Sequence, residues 1–351
     1  MALLDRILEP PSYGFEKDGN LVVPTHRELF REFFSRLNIF RDKKNWVAAI
    51  CWAATVLLAV PFFFFVIYHF SWGLLLLGFW YSMFFLGTHG TIWFHRYATH
   101  RAYTFSGPIP RFIVRNLAIK IIPEELYVVS HYVHHRSSEK PGDPYNVNGG
   151  WLYCFLADAI HQPIHRNLSR EDYTKLTLLM NHTGVRLNSY EQYQKWGSLC
   201  HPARTVAHFI LNWCFWYGAF YLMGGHALAT CLFGASCFWA FGVRTFNFDG
   251  HGGGKDKRRP GWDFDDRNLS INQVWPGAVT GEWHSNHHLY PNGVRAGFLP
   301  GQFDPAWQFI RLLIWMGCVT SFKDYQQDFL EKHYYPYLAK KNLQIEPTFQ
   351  V

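Results

Sequence analysis

Residues 46–94 have the sequence WVAAICWAATVLLAVPFFFFVIY (46–68), HFS (69–71) and WGLLLLGFWYSMFFLGTHGTIWF (72–94). No Asp, Glu, Lys or Arg occurs in this stretch, and each long run has about the 20 apolar residues that a membrane-crossing helix needs. Two further apolar runs follow at 205–223 and 227–246, with Gly-Gly-His between them. Because a segment inside a bilayer must satisfy its own backbone hydrogen bonds, we expect four transmembrane helices arranged as two hairpins.

The composition of the whole chain supports a membrane protein with a large water-facing part. Of 351 residues, 49% are hydrophobic and 19% aromatic, and only 17% are charged, against about 25% in an average protein. This composition excludes a disordered chain and a coiled coil. The mean hydropathy of −0.11 is low because the residues outside the four apolar runs are polar enough to lower it.

The basic residues predict how the chain is oriented. All 33 Lys and Arg lie in residues 1–45, 94–204 and 244–351, and none lies in the turns 69–71 and 224–226. The positive-inside rule therefore predicts that both termini and the segment 95–204 face the cytosol. This distribution explains the net charge of +7, and no nucleic-acid partner is expected. We expect a multi-pass protein of a bacterial inner membrane or the endoplasmic reticulum.

A fifth apolar stretch, residues 303–322, differs from the four runs. It contains Asp304 and Arg311. Its sequence favours an amphipathic helix that lies on the membrane or on the domain rather than a fifth span.

The histidines form clusters that all lie on the predicted cytosolic side. The clusters are HRYATH (95–100), HYVHH (131–135) and HSNHH (284–288), and NFDGH (247–251) adds one more histidine where the fourth run ends. On a helix, positions i, i+3 and i+4 point towards one side, and the last two differ by ~100°, so one run can serve two metals. The candidate ligands are His95, His100, His131, His134, His135, His251, His284, His287 and His288, with Asn247 through a water.

Nine imidazoles exceed the ligands of one metal and fit two metals with four or five nitrogens each. Imidazole suits zinc, copper, iron and nickel. An all-nitrogen pair of sites beside a membrane favours iron and O2 activation, with structural zinc as the alternative. His89 and His208 lie inside the apolar runs and are expected to be core histidines that bond to a neighbour.

The clusters and their flanking residues resemble a known family. HRYATHRAYTFS (95–106), SHYVHHRSSEKPGDPYN (130–146), NFDGH (247–251) and GEWHSNHHLYP (281–291) resemble the histidine motifs of the membrane-bound fatty acyl desaturases, in the branch of the delta-9 acyl-CoA desaturases. The resemblance covers about residues 46–322. It implies an all-α membrane protein in which a cytosolic helical cap on four transmembrane helices holds a nine-histidine site for two iron ions.

The resemblance also implies a reaction and a domain organisation. Two hydrogens would leave adjacent carbons of a fatty acyl chain, carried by a lipid or a thioester, with O2 as co-substrate. Electrons would come from a separate donor of the cytochrome b5 or ferredoxin type.

The expected organisation is a cytosolic N-terminal segment (1–45), the membrane domain (46–322) and a cytosolic tail (323–351). The alternatives are a hydroxylase or acetylenase with the same centre, and a non-catalytic zinc-binding membrane protein.

Two further sets of residues are candidates for supporting roles. Metal-bound imidazoles usually donate their second N–H to a carboxylate or carbonyl, and the candidates for this role are Asp143 and Glu282, close to the second and third clusters, and Asp249, between Asn247 and His251. The basic residues that could contact a substrate head group are Arg101, Arg136, Lys257, Arg258 and Arg259.

Overall fold

The structure is a computed structural model that describes residues 3–161, 164–251, 253, 283–299 and 302–340. The described chain is mostly helical. Its helices are α1 (Leu4–Ile7), α2 (His26–Leu37), α3 (Trp46–Tyr68), α4 (Trp72–Trp80), α5 (Gly87–Gly90), α6 (Pro108–Asn116), α7 (Glu124–Ser137), α8 (Trp151–Ile160), α9 (Arg170–Thr177), α10 (Tyr190–Trp196), α11 (Pro202–Gly250), α12 (His284–Leu289), α13 (Pro305–Trp315), α14 (Gln326–Phe329) and α15 (Tyr335–Lys340). Two antiparallel strand pairs join β1 (Glu16–Lys17) to β2 (Asn20–Leu21) and β3 (Tyr103–Phe105) to β4 (Val319–Phe322).

Two of the described helices are long and apolar enough to cross a membrane, Lys43–Tyr68 and Pro202–Phe246. Their outward faces carry large apolar side chains that are exposed, such as Phe63 and Ile67 on α3 and Leu222 on α11. Exposed apolar side chains in a continuous row are unfavourable in water and suit contact with lipid.

Helix α11 folds back on itself where the sequence predicts a turn. Gly224 (φ −161°, ψ 26°) and Gly225 (φ 65°, ψ −163°) have non-helical dihedral angles, and the positive φ of Gly225 favours glycine. The rings of Trp213 and Phe233 lie 5.8 Å apart, centroid to centroid. A straight helix would separate two residues 20 positions apart by about 30 Å. The two arms of α11 therefore pack against each other as a hairpin.

The helix that starts at Trp72 does not end at Phe94, where the apolar run ends. π-Helical turns at Tyr81–Leu86 and Thr91–Thr99 continue α4 and α5, and the junction residues Tyr81, Gly87 and Thr91 keep right-handed helical dihedral angles. The helix therefore continues to Thr99 and carries the first histidine cluster at its end.

Small residues let the long helices approach each other closely. A Cβ added at Gly234 of α11 would lie 2.6 Å from the Cα of Phe62 on α3, and one added at Gly78 of α4 would lie 2.9 Å from Cys231 Sγ. Small residues at such crossings permit backbone-to-backbone packing, which is how membrane helices associate.

Helices α2, α8, α9 and α10 surround α7. We call these five helices the cap. Val128 and Val129 of α7 are buried with Leu176 of α9 and Tyr193 of α10. A second cluster buries α2 against α8. Helix α7 is thereby held in the middle of the cap, directly beside the ends of the long helices.

The stretch 303–322 is only partly the amphipathic helix that its sequence predicts. The prediction is correct for α13, which buries Ile310 and Leu313 and exposes Leu312 and Trp315. It is wrong for the last residues, because β4 is extended. There the backbone pairs with β3, in the register Tyr103 to Phe322 and Thr104 to Ser321, and this pairing replaces helical hydrogen bonds.

The close crossing predicts that Gly234→Ala destabilises the protein, whereas Gly218→Ala does not. A Cβ at Gly234 must push α3 away, which costs about 1–3 kcal/mol. Nothing lies within 4 Å of a Cβ at Gly218 on the same helix, so alanine there should be neutral or stabilising. Thermal unfolding in detergent checks this. Equal midpoints for the two variants would contradict the packing.

Candidate metal centre

Four chain segments bring the nine predicted histidines together. His95 and His100 lie at the end of the Trp72–Thr99 helix, and His251 directly follows α11. Helix α7 supplies three histidines and α12 supplies three more. Since these segments are far apart in sequence, the centre depends on the packing of the cap onto the long helices.

The π-helical turn solves a geometric problem at the first cluster. On an ideal α-helix, residues five positions apart point about 140° away from each other. In the structure the N–H of His100 donates to the carbonyl of His95 at 3.0 Å, an i→i+5 bond that widens the turn. The two rings then lie 5.0 Å apart, centroid to centroid, on the same side of the chain.

The nine rings form two clusters, one of five and one of four. The five-histidine cluster contains His95, His100, His131, His135 and His287, and the four-histidine cluster contains His134, His251, His284 and His288. Within each cluster one ring nitrogen per residue lies within 4.8 Å of all the others. A cation about 2.0–2.1 Å from each nitrogen keeps any two ligands within about 4.2 Å. Each cluster is therefore close to the size that one cation requires.

Helices α7 and α12 each contribute to both clusters. His131 and His135 are four residues apart and share one face of α7, whereas His134 points into the other cluster. On α12 the single member of the five-histidine cluster is His287. The clusters touch where the rings of His135 and His288 stack at 4.4 Å. The division of each run between two sites agrees with the helical geometry of the sequence.

In the five-histidine cluster the Nε2 atoms face one another. His287 Nε2 lies 2.9 Å from both His95 Nε2 and His135 Nε2, and His135 Nε2 lies 3.1 Å from His131 Nε2. The buried Nε2 of His100 has no hydrogen-bond partner among the described residues. A buried polar atom without a partner is costly, so an additional group is required here.

In the four-histidine cluster two carboxylates reveal the tautomers. His134 Nδ1 donates to Asp143 at 2.9 Å, and His251 Nδ1 donates to Glu139 at 3.0 Å. A neutral imidazole carries one N–H, so the Nε2 atoms of these two rings both present lone pairs. These two atoms lie 3.1 Å apart. Two lone pairs at this distance repel each other, and a cation between them removes the repulsion.

Burial lowers the pKa of His251, one of these two rings, which disfavours a proton on that imidazole in place of a metal cation. Burial lowers the pKa of His135 to about 2, and neighbouring histidines lower it in the same direction. Burial and the adjacent histidines also hold the pKa of His284 and His288 well below the usual range. His135, His284 and His288 are therefore neutral at pH 7, and their lone pairs are available to metal ions.

Asp143 and Glu139 hold the four-histidine cluster from outside. Asp143 is fully buried, and it also accepts the backbone N–H groups of Tyr145 and Glu139 at 2.9 Å each. Glu139 has a left-handed backbone (φ 59°) and an exposed side chain. The sequence singled out Asp143 but missed Glu139, for which the only signal was its position four residues after the second histidine run.

The other predicted residues lie elsewhere or outside the description. Arg101 donates to the Leu178 carbonyl, and Arg136 is exposed beside Asp5. Asp249 is half-buried in the last turn of α11. The residues Glu282, Lys257, Arg258 and Arg259 and the side chain of Asn247 are outside the described part of the structure. His89 and His208 bond to the Val114 carbonyl and to Asn116, as expected of core histidines.

A buried ion pair beside the first cluster was not anticipated from the sequence. Arg96 donates to Asp304 at 2.7 Å, with side chains only 4% and 2% exposed, and also to the Val294 carbonyl. Burial alone would raise the pKa of Asp304, but the Arg96 guanidinium and two backbone N–H donors lower it. The pair ties the start of α13 to the residue next to His95.

A narrow apolar cleft reaches the five-histidine cluster from the long helices. It runs between the Trp72–Thr99 helix and the second arm of α11, and its lining comprises Gly90, Thr91, Phe94, His95, Tyr127, Trp239, Val243 and Phe246. Tyr127 stacks on His131 at 5.2 Å. The cleft has a volume of only about 10 Å³, so an apolar chain would reach the ring of His95 along it only if the lining side chains moved apart.

Comparison with known proteins finds several similar enzymes. The sn-1 stearoyl-lipid 9-desaturase of Anabaena variabilis is 28% identical over 289 residues, which cover 80% of this chain and 94% of that protein. The probable acyl-CoA desaturase of Schizosaccharomyces pombe is 24% identical over 249 residues, 69% of this chain and 47% of that protein. The Delta-9 acyl-lipid desaturase 1 of Arabidopsis thaliana is 24% identical over 246 residues, 66% and 70% of the two chains.

The model of one protein family, fatty acid desaturase, matches residues 70–301. This match covers more than half of the chain and includes all nine clustered histidines. The chain belongs to the fatty acid desaturase family.

Proposed function

We propose that this protein uses O2 to desaturate a fatty acyl chain at two iron ions held by its nine clustered histidines. The observation that carries the proposal is the pair of adjacent histidine clusters. Their ring nitrogens face each other closely, as the Nε2 atoms of His134 and His251 do, with lone pairs that a metal ion would accept. One iron would bind the five-histidine cluster and the other the four-histidine cluster. Asn247 would complete the second site through a water.

The reaction converts –CH2–CH2– to –CH=CH–. O2 takes up the two hydrogens together with two electrons and two protons and leaves as two waters. Bound iron supplies the activation of O2. The chain's own residues keep the site dry and hold the imidazoles in the tautomer that leaves Nε2 free, through Asp143 and Glu139. The two electrons would come from a separate donor protein of the cytochrome b5 or ferredoxin type.

We place four crossings in the membrane, with the metal centre and both termini on the cytosolic side. The proposal is supported by the two arms of α11, by α3 and by the continuous helix from Trp72. All Lys and Arg lie outside the turns 69–71 and 224–226, which puts these turns on the opposite side. The membrane would be a bacterial inner membrane or the endoplasmic reticulum.

The substrate would be a fatty acyl chain carried by a membrane lipid or by a thioester. Relatives of both kinds occur, since one is named a stearoyl-lipid desaturase and another an acyl-CoA desaturase. Such a chain would enter along the apolar cleft beside His95, whose lining side chains would move apart to admit it. Because this cleft ends at the five-histidine cluster, we expect that cluster to lie nearest the carbons that react.

The first prediction concerns product and metal together. The intact chain, expressed in a host with a simple lipid profile and a compatible donor, should yield a new unsaturated fatty acid by gas chromatography–mass spectrometry. His134→Ala should abolish the product and lower the bound iron, because it removes a ligand of the four-histidine cluster. His161→Ala is the control, since His161 is equally buried but bonds to Tyr153 outside both clusters.

The outcome distinguishes the proposal from its alternatives. Loss of 2 Da from the acyl chain identifies desaturation to one double bond, and a gain of 16 Da would identify a hydroxylase. A triple bond would identify an acetylenase. Purified protein that contains zinc in both sites and consumes no O2 would overturn the enzymatic proposal.

The second prediction concerns the carboxylate behind His134. Asp143→Asn should weaken iron binding by about 10–100-fold, the usual cost of changing a residue that orients a metal-bound imidazole. The amide can still accept from His134, but its NH2 group cannot accept the backbone N–H of Glu139. Iron titration of the metal-free protein measures this, with Asp172→Asn at a surface ion pair as the control. Unchanged affinity would remove Asp143 from the proposal.

The third prediction concerns the apolar cleft. Val243→Phe should block it and reduce desaturation strongly while iron content stays at the wild-type level, because Val243 is not one of the clustered residues that would hold the metal. Val206→Phe places the same change on the exposed face of α11 and should leave activity unchanged. Full activity of Val243→Phe would show that the acyl chain takes another path.

A further inference from the structure

A second apolar cavity, of about 310 Å³, lies between the Trp72–Thr99 helix and α13. Its lining comprises Phe84, Phe85, Thr88, His89, Ile92, Leu117, Phe303, Pro305, Gln308, Phe309 and Leu312. This volume is at the lower end of the range for ligand pockets in proteins. The cavity is not part of the metal centre, because none of its lining residues belongs to either histidine cluster.

The cavity and the cleft at His95 lie on different faces of one helix. Phe84, Thr88 and Ile92 are spaced by four residues and line the cavity, whereas Thr91 and Phe94 line the cleft. The ring of His89 bonds through Nε2 to the Val114 carbonyl at 2.8 Å, so its polar group is already satisfied. The cavity is therefore a separate apolar space with little need for polar contacts.

The opening of the cavity is apolar and continues into the surface that faces lipid. Phe84, Phe303 and Leu312 are exposed at its rim, and Trp315, 82% exposed, follows at the end of α13. An open space between such side chains loses dispersion contacts unless hydrocarbon fills it. Water would be a poor occupant, because it needs several polar partners.

The rim has one polar side. Gln308 lines the cavity and accepts a hydrogen bond from Arg311 at 3.2 Å, and both side chains are exposed. An arginine beside an apolar pocket at a membrane surface combines an apolar stem with a charged group that binds phosphate well. A ligand with a hydrocarbon chain and a phosphate matches both parts of the site.

We infer that this cavity binds one acyl chain of a membrane phospholipid, whose phosphate contacts Arg311. The inference rests on the proposed location in a membrane and not on the reaction at the metal centre. The lipid would hold α13 against the long helix. Since Asp304, the partner of Arg96, caps the N-terminus of α13, the lipid also supports the segment that carries His95.

Photolabelling of the full chain in phosphatidylcholine nanodiscs tests this. Phosphatidylcholine with a photoreactive group on its acyl chain should label residues 84–92 and 303–312, as mapped by peptide mass spectrometry. Leu312→Trp fills the cavity and should reduce labelling there several-fold. Leu211→Trp makes the same change on a lipid-facing surface away from the cavity and should not. Arg311→Gln should also reduce labelling, because it removes the phosphate contact.

Three results would overturn the inference. The first is no labelling of these residues in the wild-type protein. The second is equal labelling of the Leu312→Trp and Leu211→Trp variants. The third is labelling by photoreactive palmitic acid but not by the phospholipid, which would assign the cavity to a free fatty acid. Iron content and product formation, measured on the same preparations, report separately on the proposed function.

Discussion

The arrangement of the whole protein depends on uncharged imidazole lone pairs that face each other in a buried site. Lone pairs 3.1 Å apart, as between His134 and His251, are tolerable only with a cation between them. The surroundings must keep the rings neutral and their Nε2 atoms free. Burial favours the neutral form of the rings. The carboxylates of Asp143 and Glu139 accept the Nδ1–H of His134 and His251, which leaves the Nε2 atoms of these two rings free. The fold can therefore be understood as a means of bringing four distant segments to one dry volume.

The long helices and the cap share this task. The π-helical turn at Thr91–Thr99 rotates His100 onto the side of His95, a local irregularity of the kind that is frequent at functional sites. Helix α7 divides its three histidines between the clusters because their spacing follows the helical period. Its apolar residues Val128 and Val129 fix it within the cap, so the position of the rings follows from packing elsewhere.

Much of this could be predicted from the sequence because it depends on local period and composition. The apolar runs gave the long helices and the turn at 224–226, and the spacing within HxxHH predicted the division between two metals. Contacts between distant residues could not be predicted. Glu139 reaches His251 only through a left-handed turn, and Arg96 meets Asp304 across more than two hundred residues. The end of the stretch 303–322 became a strand because β3 offered it backbone partners, which no local pattern records.

The pairing of Arg96 with Asp304 also explains why α13 belongs to the functional unit. A buried ion pair is weakly stabilising by itself, since desolvation offsets most of its attraction, but breaking it leaves an uncompensated charge. Its effect is to fix one geometry: Asp304 accepts from Arg96 and from the N–H of Trp307, so the same carboxylate starts α13 and holds the residue next to His95. Helix α13 also packs against the Trp72–Thr99 helix in one apolar core that contains Ile310, Leu313 and Ile92. The exposed apolar side chains Leu312 and Trp315 of α13 and the position of His95 are therefore connected through the ion pair and through this core.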